Sequence, residues 1–570
     1  MTAHRIASRQ PPRRSSRLKL FWKAAAAVLA AAFLAVALAA CGSSTSTQAT
    51  NATTTASGTP HKGGTLVISY QSEPQTLDPA INWDEGWTEE DCLFNTFLKY
   101  ASGPGEAGTK LVPDLATALP QITNGGKTYT FHLRPGIRFA PPVNRAVTAE
   151  DFRWSFERML RLPLAPAISF YTNIVGAQAF IDGKAKHVSG YQVVNPSTIR
   201  ITLVHPDAAF VNAMSMPFTS VIPKEWVAKW GKQVGRHPLG TGPFMLDHWT
   251  TGQEMVLKRN PNYYNADHVW LDAVKVEFSI SPSTALLRLQ RGDIDVLGDG
   301  IDPADFQRVL ADPTWKGQVV QEPSIEFDYL FMNTQIKPFD NVKVRQAISY
   351  AINRDKIVKL LAGTAQPIDQ IYPAGLPGHQ PASPVSYGYD PAKAKQLLAE
   401  AGFPHGFSTT LYTHNVDPWP RLMQSIQNDL AQVGIKASLR TMDRGTYWTL
   451  IGEPGKVPMG LMVWRQDYPD PSDFIMPLFS KAAAVPGGFN ASFWWNPSVE
   501  TLLAQAQGMT MPDQQAARLA KFAEIQRIIL ENAPVVPLYQ PIQNSMCSKR
   551  VGGFYLSPVT YYRLPDYWIK

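Results

Sequence analysis

Three aspartates spaced three residues apart, Asp467, Asp470 and Asp473, stand in the stretch VWRQDYPDPSDF (Val463–Phe474) among Trp464, Arg465 and Tyr468. Carboxylates at that density can form a catalytic acid/base pair, ligate a cation, shape a turn, or anchor a positively charged group. A glycosidic pair requires two acids at a fixed separation about the bond to be cut, which Tyr468 and Pro469 between Asp467 and Asp470 do not guarantee. A calcium loop needs more oxygen ligands than this run presents. Pro469 and Pro471 favour a turn in which Asp470 and Asp473 bond local backbone N–H groups. Asp467, which follows the apolar stretch GLMVW, is the acid that the turn does not account for.

Other motifs give chemistry less support. GPGEAG (Gly103–Gly108) satisfies a dinucleotide-loop pattern by letter. It follows a helix-like stretch, whereas pyrophosphate binding needs a strand before the loop and a helix N-terminus after it; it reads as a surface loop. GTGPF lacks the Lys-Ser/Thr of a phosphate loop. No HExxH or GxSxG occurs, and the eleven histidines are scattered, so neither a metalloprotease nor a serine-hydrolase motif is present. THNVD brings His414 near Asp417 without ligand spacing, and no metal or cofactor is expected. Fifteen tryptophans serve mostly as core in a chain of this size. Trp464 and the FWW run that includes Trp494 are the candidates to line a cleft.

The elements that must hold these residues begin after a targeting segment. Residues 1–40 contain five Arg, two Lys and no acid, and close on a seventeen-residue apolar run, Ala24–Ala40. That is a signal peptide, and the run is shorter than the roughly 20 residues of a spanning helix. The tetrapeptide LAAC resembles a bacterial lipobox, which implies cleavage before Cys41 and a diacylglycerol on its thiol. The whole chain carries 53 Lys and Arg against 46 acids, an excess of seven. The signal's seven cations account for all of it, so the mature chain is neutral and its cations are dispersed. A nucleic-acid partner is therefore not expected. Cys92 and Cys547 remain, outside any CxxC pattern, as buried thiols or as candidates for a disulfide.

Residues 41–62 are rich in Ser, Thr and Gly and read as a disordered tether. Beyond them strands and helices interleave. TLVISY, KTYTFHLRPG, STIRITLV, EMVLKR, AVKVEFSI, EFDYLFMNT, STTLYT and KASLRTM have strand character. TEEDCLFNTFLKY shows helical spacing through Leu93, Phe94, Phe97 and Leu98. TAEDFRWSFERML has Thr148 as N-cap with Asp151 three residues on. VKVRQAISYAINRDKIVKLL, DPAKAKQLLAEAG and RLMQSIQNDLAQVG complete the predicted helices. This alternation predicts an α/β protein, and the length two or three domains.

Eight segments, taken in order, resemble the family-5 extracellular solute-binding proteins of ABC importers, the oligopeptide and dipeptide receptors. They are TYTFHLRPGIRFA, TAEDFRWSFERML, LGTGPFMLDHW with LKRNPNYYN, FMNTQIKPFDNVKVRQAISYAINRDKI, YDPAKAKQLLAEAGFP, WRQDYPDPSDF and APVVPLYQ. The resemblance implies a two-lobed periplasmic-binding-protein clamp of type II. Lobe I would hold residues 63–325 and 531–570, with an inserted subdomain at about 100–215, and lobe II residues 326–530. The chain would cross near Phe327–Asn333 and Ala533–Tyr539. By the same resemblance the protein is a monomeric, non-enzymatic receptor, lipid-anchored through Cys41 on the outer face of the cytoplasmic membrane. It would capture a short peptide and deliver it to permease and ATPase subunits. Asp467, in Trp-x-x-Asp, would take the ligand's α-ammonium, with Trp464, Tyr468 and Trp494 near it and Arg465 a candidate for the carboxylate end. An oligosaccharide, a nickel chelate or haem is the alternative cargo, and a tethered hydrolase the alternative class.

Overall fold

The computed structural model describes residues 59–83, 86–163 and 165–570. The signal peptide, Cys41 and most of the tether lie outside them. Two larger sheets organise the chain. The first has five strands in the order Val296–Leu297, Thr65–Ser69, Ala273–Glu277, Glu254–Arg259 and Phe244–Thr250. Its apolar face, with Leu66, Ile68, Val274 and Val276, joins the C-terminal Phe554, Leu564 and Tyr567 in one core. A four-stranded sheet, residues 121–132 and 191–202, packs with the helix Ala149–Arg161 over a second core, drawn mainly from residues 80–239. Asp151 accepts from the Thr148 backbone N–H at 2.9 Å, forming the expected capping box.

The second large sheet runs Val319–Pro323, Val535–Met546, Glu326–Met332, Met459–Arg465, Ser408–His414, Lys436–Met442. Glu326–Met332 is buried at every position but its first, because it has a neighbour on each side and packing on both faces; such strands lose the polar alternation of an edge. Val535–Met546 is twelve residues long and carries two prolines. Where it pairs with Asp328 and Tyr329 the register slips, and Pro537, which has no N–H to donate, sits at that irregularity. The core of this sheet is built wholly from residues between Ile325 and Tyr539.

Two strands pass from this core to the first sheet. Val320 belongs to the five-stranded sheet's core and Ile325 to the other; Tyr539 belongs to the second and Cys547 to the first. The segments lie side by side, Val319–Pro323 antiparallel to Ile542–Met546. Two sequence expectations need correction. The helix predicted through Leu98 spans only Trp87–Leu93, and Leu98–Tyr100 is a strand; the apolar spacing there fits an extended, fully buried segment equally well. The helix predicted over 342–361 is two, Val342–Ala351 and Arg354–Leu360. Asn353 caps the second by accepting from the Lys356 N–H at 3.0 Å, a local bond that competes with helix continuation.

Candidate functional site

The strand Met459–Arg465 delivers the opening aspartates to a cleft. Asp467 lines a small compartment of about 60 Å³ together with Glu90, Asp91, Lys99, Asp114 and Arg563. One water requires about 10–15 Å³, so the space suits a head group. Two acids there have cations: Asp91 meets Arg563 at 3.0 Å and Asp114 meets Lys99 at 3.8 Å. Glu90 accepts from Asn82 Nδ2 at 3.1 Å, and burial pushes its carboxyl well above the ordinary range.

Asp467 is held from behind. Its backbone N–H donates to Asp473 Oδ2 at 2.9 Å, and Trp464 Nε1 donates to the same oxygen at 3.3 Å. Burial and the neighbouring Asp467 push the Asp473 carboxyl well upward. Asp473 thus positions the Asp467 backbone, while Asp467 itself lines the compartment. Tyr468 leaves the second sheet and buries in the core built from residues 80–239, edge-on to Phe170 at 6.1 Å. Asp470 accepts two Arg518 bonds at 2.7 Å and the Ser472 N–H at 2.9 Å. Burial alone would raise its pKa, but Arg518 and Ser472 hold it below the usual value. Asp470 and Asp473 therefore do bond local backbone, as the turn chemistry requires.

A larger compartment of about 500 Å³ adjoins the first, and Trp87 walls both. That size is within the roughly 300–1,000 Å³ of small-ligand sites. Glu89, Asp299, Arg465, Gln543 and Tyr70 are among its lining residues. The Arg465 guanidinium also stacks 3.6 Å from the centre of the Tyr561 ring. The structure thus brings Asp467 and Arg465 to neighbouring compartments. Trp464 lines neither; its Nε1 donates to Asp473 and its ring meets Phe489 edge-on at 5.3 Å. Trp494 is a core residue, packed 6.5 Å from Phe479 and held through its carbonyl by Asn490 at 2.7 Å. As a cleft candidate it is corrected accordingly, since its ring is buried in the core of the second sheet. His414 stacks on Trp419 at 4.2 Å, while Asp417 pairs with Arg421 at 2.6 Å. Cys92 is a buried free thiol in the same core as Cys547, so the disulfide considered between them is not formed.

Residues 110–485 match the family described as bacterial extracellular solute-binding proteins, family 5 Middle. The chain belongs to family 5 of the bacterial extracellular solute-binding proteins. It is 32% identical over 510 residues to the glutathione-binding protein GsiB of Escherichia coli O1:K1, covering 88% of this chain and 94% of that one. Among solved structures it resembles the periplasmic binding protein DppA of Helicobacter pylori in complex with the peptide STSA. That match has TM-score 0.72 and 29% identity, over 89% of this chain and 98% of the other. The Escherichia coli murein tripeptide-binding protein MppA matches with TM-score 0.70 and 26% identity, over 90% and 99%.

Family-5 membership accounts for the mixed α/β architecture, which is consistent with a two-lobed clamp. These relatives are named as binding proteins, and none is named as an enzyme. No helix among the described residues is long and apolar enough to cross a membrane. Trp87, Glu90 and Arg563, which line the compartment with Asp467, and Glu89, which lines the larger one, were not singled out from the sequence. Three consecutive acids, Glu89 to Asp91, within an otherwise apolar segment were the available signal, since such a run is normally solvated.

Proposed function

We propose that this family-5 protein is the receptor of an ABC importer for short peptides, and that Asp467 holds the peptide's amino end. The observation that carries the reading is Asp467 itself: a carboxylate in a head-group-sized compartment, its backbone fixed by Asp473. In a cleft poor in water a carboxylate makes a charge-assisted hydrogen bond to an α-ammonium, roughly twice as strong as a neutral one. Arg465, two residues earlier on the same strand, lines the larger compartment and is suited to a carboxylate or a backbone carbonyl.

Residues 63–325 and 531–570 form lobe I in this proposal, with an inserted subdomain at about 100–215, and residues 326–530 form lobe II. The hinge is proposed at the paired segments around Ser324 and Pro541, rather than at Phe327–Asn333 and Ala533–Tyr539, whose residues 327–332 and 535–539 lie in the core of the second sheet. Contacts from ligand to both lobes bias it closed. The permease then recognises the closed form. A lipid on Cys41 keeps the receptor at the outer face of the membrane; replacing Cys41 by Ala is expected to move the protein from the membrane fraction to the medium.

Calorimetric titration of residues 63–570 with a panel of tripeptides, free or N-acetylated, tests the anchor. Free peptides are expected to bind, with acetylation and Asp467→Asn each weakening them by about tenfold or more. Equal binding of free and acetylated peptides, or of parent and Asp467→Asn, would overturn it.

A further inference from the structure

The larger compartment's cation, Arg465, lies over the Tyr561 ring, and the wall still carries more acceptors than the donors among the described residues satisfy. Glu89 is only 3% exposed yet borders that space. No side chain among the described residues hydrogen-bonds or ion-pairs with it, and its own backbone N–H is its polar contact. Asp299 accepts the Gln71 N–H at 2.5 Å and has no cation among the described residues. Gln543 Oε1 is buried and likewise without a hydrogen-bond partner among them. Glu73, a third acid of the wall, is already neutralised by Arg236 at 2.5 Å. Aromatic rings complete the enclosure: Tyr70, Trp87, Tyr561 and Tyr562.

Buried acids and amide oxygens lacking donors are costly unless a ligand supplies them. Aromatic faces around them attract cations by their quadrupole. A lysine ammonium offers three N–H donors and an arginine guanidinium five, each with the positive charge that Glu89 and Asp299 require. A glutamate side chain would bring a fourth acid to the same walls. Because Glu89 and Glu90 are consecutive on one helix, and Trp87 is shared, the larger compartment lies next to the one containing Asp467. A peptide anchored there would place one of its first side chains against Glu89.

We propose that Glu89, supported by Asp299 and Gln543, makes this receptor selective for peptides carrying lysine or arginine near their amino end. The inference rests on the peptide reading above and narrows its substrate class. Burial pushes the Glu89 carboxyl to about 7, which agrees with a site kept without its counter-charge until a ligand arrives.

The test is calorimetric titration of residues 63–570 with tripeptides that differ at one position, bearing Lys, Met or Glu at the first, second or third residue. At one of these positions Lys is expected to exceed Met by roughly ten- to a hundredfold, and Glu to bind more weakly than Met. Glu89→Gln is expected to abolish most of the difference between Lys and Met. The ranking on the parent needs no variant, so poor folding of Glu89→Gln would leave it decisive. Equal affinities for Lys, Met and Glu, or a Lys preference retained in Glu89→Gln, would overturn the inference; the anchor stands if Asp467→Asn still weakens every peptide. Asp467→Asn binding as well as the parent would overturn both.

Discussion

Asp470 and Arg518, 48 residues apart in the chain, form two parallel hydrogen bonds of 2.7 Å in the interior. Arg518 is 2% exposed and Asp470 6%. Asp470 stands in the loop that leaves the strand Met459–Arg465, and Arg518 in the helix Gln515–Asn532. The pair therefore ties the segment carrying Asp467 to a helix that packs on the second sheet. Its planar fork matches a carboxylate in a way that lysine cannot.

Arg518→Met should accordingly be one of the most damaging single changes near the site. It leaves the Asp470 carboxylate buried without its cation, at a cost of about 3–5 kcal/mol. The double variant Asp470→Asn with Arg518→Met removes both charges and is expected to recover much of that loss. Urea denaturation of the parent, Asp470→Asn, Arg518→Met and the double variant measures it; additive losses in the double variant would show that the pair is not an interacting unit.

Asp473 leads to a sharper contrast between two substitutions. Burial and Asp467 push its carboxyl up, and the residue accepts from the Asp467 N–H and from Trp464 Nε1. Asn can reproduce that role and Ala cannot. Asp473→Asn is expected to bind peptide within a few-fold of the parent, and Asp473→Ala to bind about tenfold more weakly through a misplaced Asp467. Calorimetry with one free tripeptide decides it. Equal losses in both would mean that the negative charge of Asp473, rather than its geometry, is what matters.

The stretch around Asp467 shows what sequence could and could not reveal. Local rules were sufficient for the Asp470 and Asp473 turn and the Thr148 capping box, because their partners lie within a few residues. Strands such as Glu326–Met332 and Ala273–Glu277 were legible from β-branched and aromatic content. Arg518 was not legible as the partner of Asp470, since nothing in either segment encodes a pairing across 48 residues. The same holds for Glu89. Its helix reads as amphipathic, and only the tertiary arrangement places an acid at a compartment instead of in water. Trp494 failed for the converse reason: a tryptophan's value as a ligand platform depends on which way a loop turns it.

Glu89 also makes a prediction for the unliganded protein. Its carboxyl is raised from an ordinary 4.5 to about 7 because burial disfavours the charge. Tyr70, Glu73, Asp299 and Arg465 share the compartment with it, Arg465 lying over the Tyr561 ring and Glu73 paired with Arg236, and Glu90 and Cys92 stand on its own helix; none of these side chains ion-pairs with Glu89. Between those two pH values the folded chain keeps a proton that the unfolded chain has released. The unfolded state then binds fewer protons, so stability falls as pH rises from about 4.5 to about 7 and levels off above that. Across the window the loss is roughly 3 kcal/mol. Glu89→Gln has no such proton, so its stability relative to the parent should be nearly unchanged at pH 5 and grow by a few kcal/mol at pH 8. Urea denaturation at the two pH values reads the difference. An offset that is the same at both would show that Glu89 is ionised in the folded protein throughout, with a counter-charge already beside it, and the compartment would then have no need of a cationic ligand.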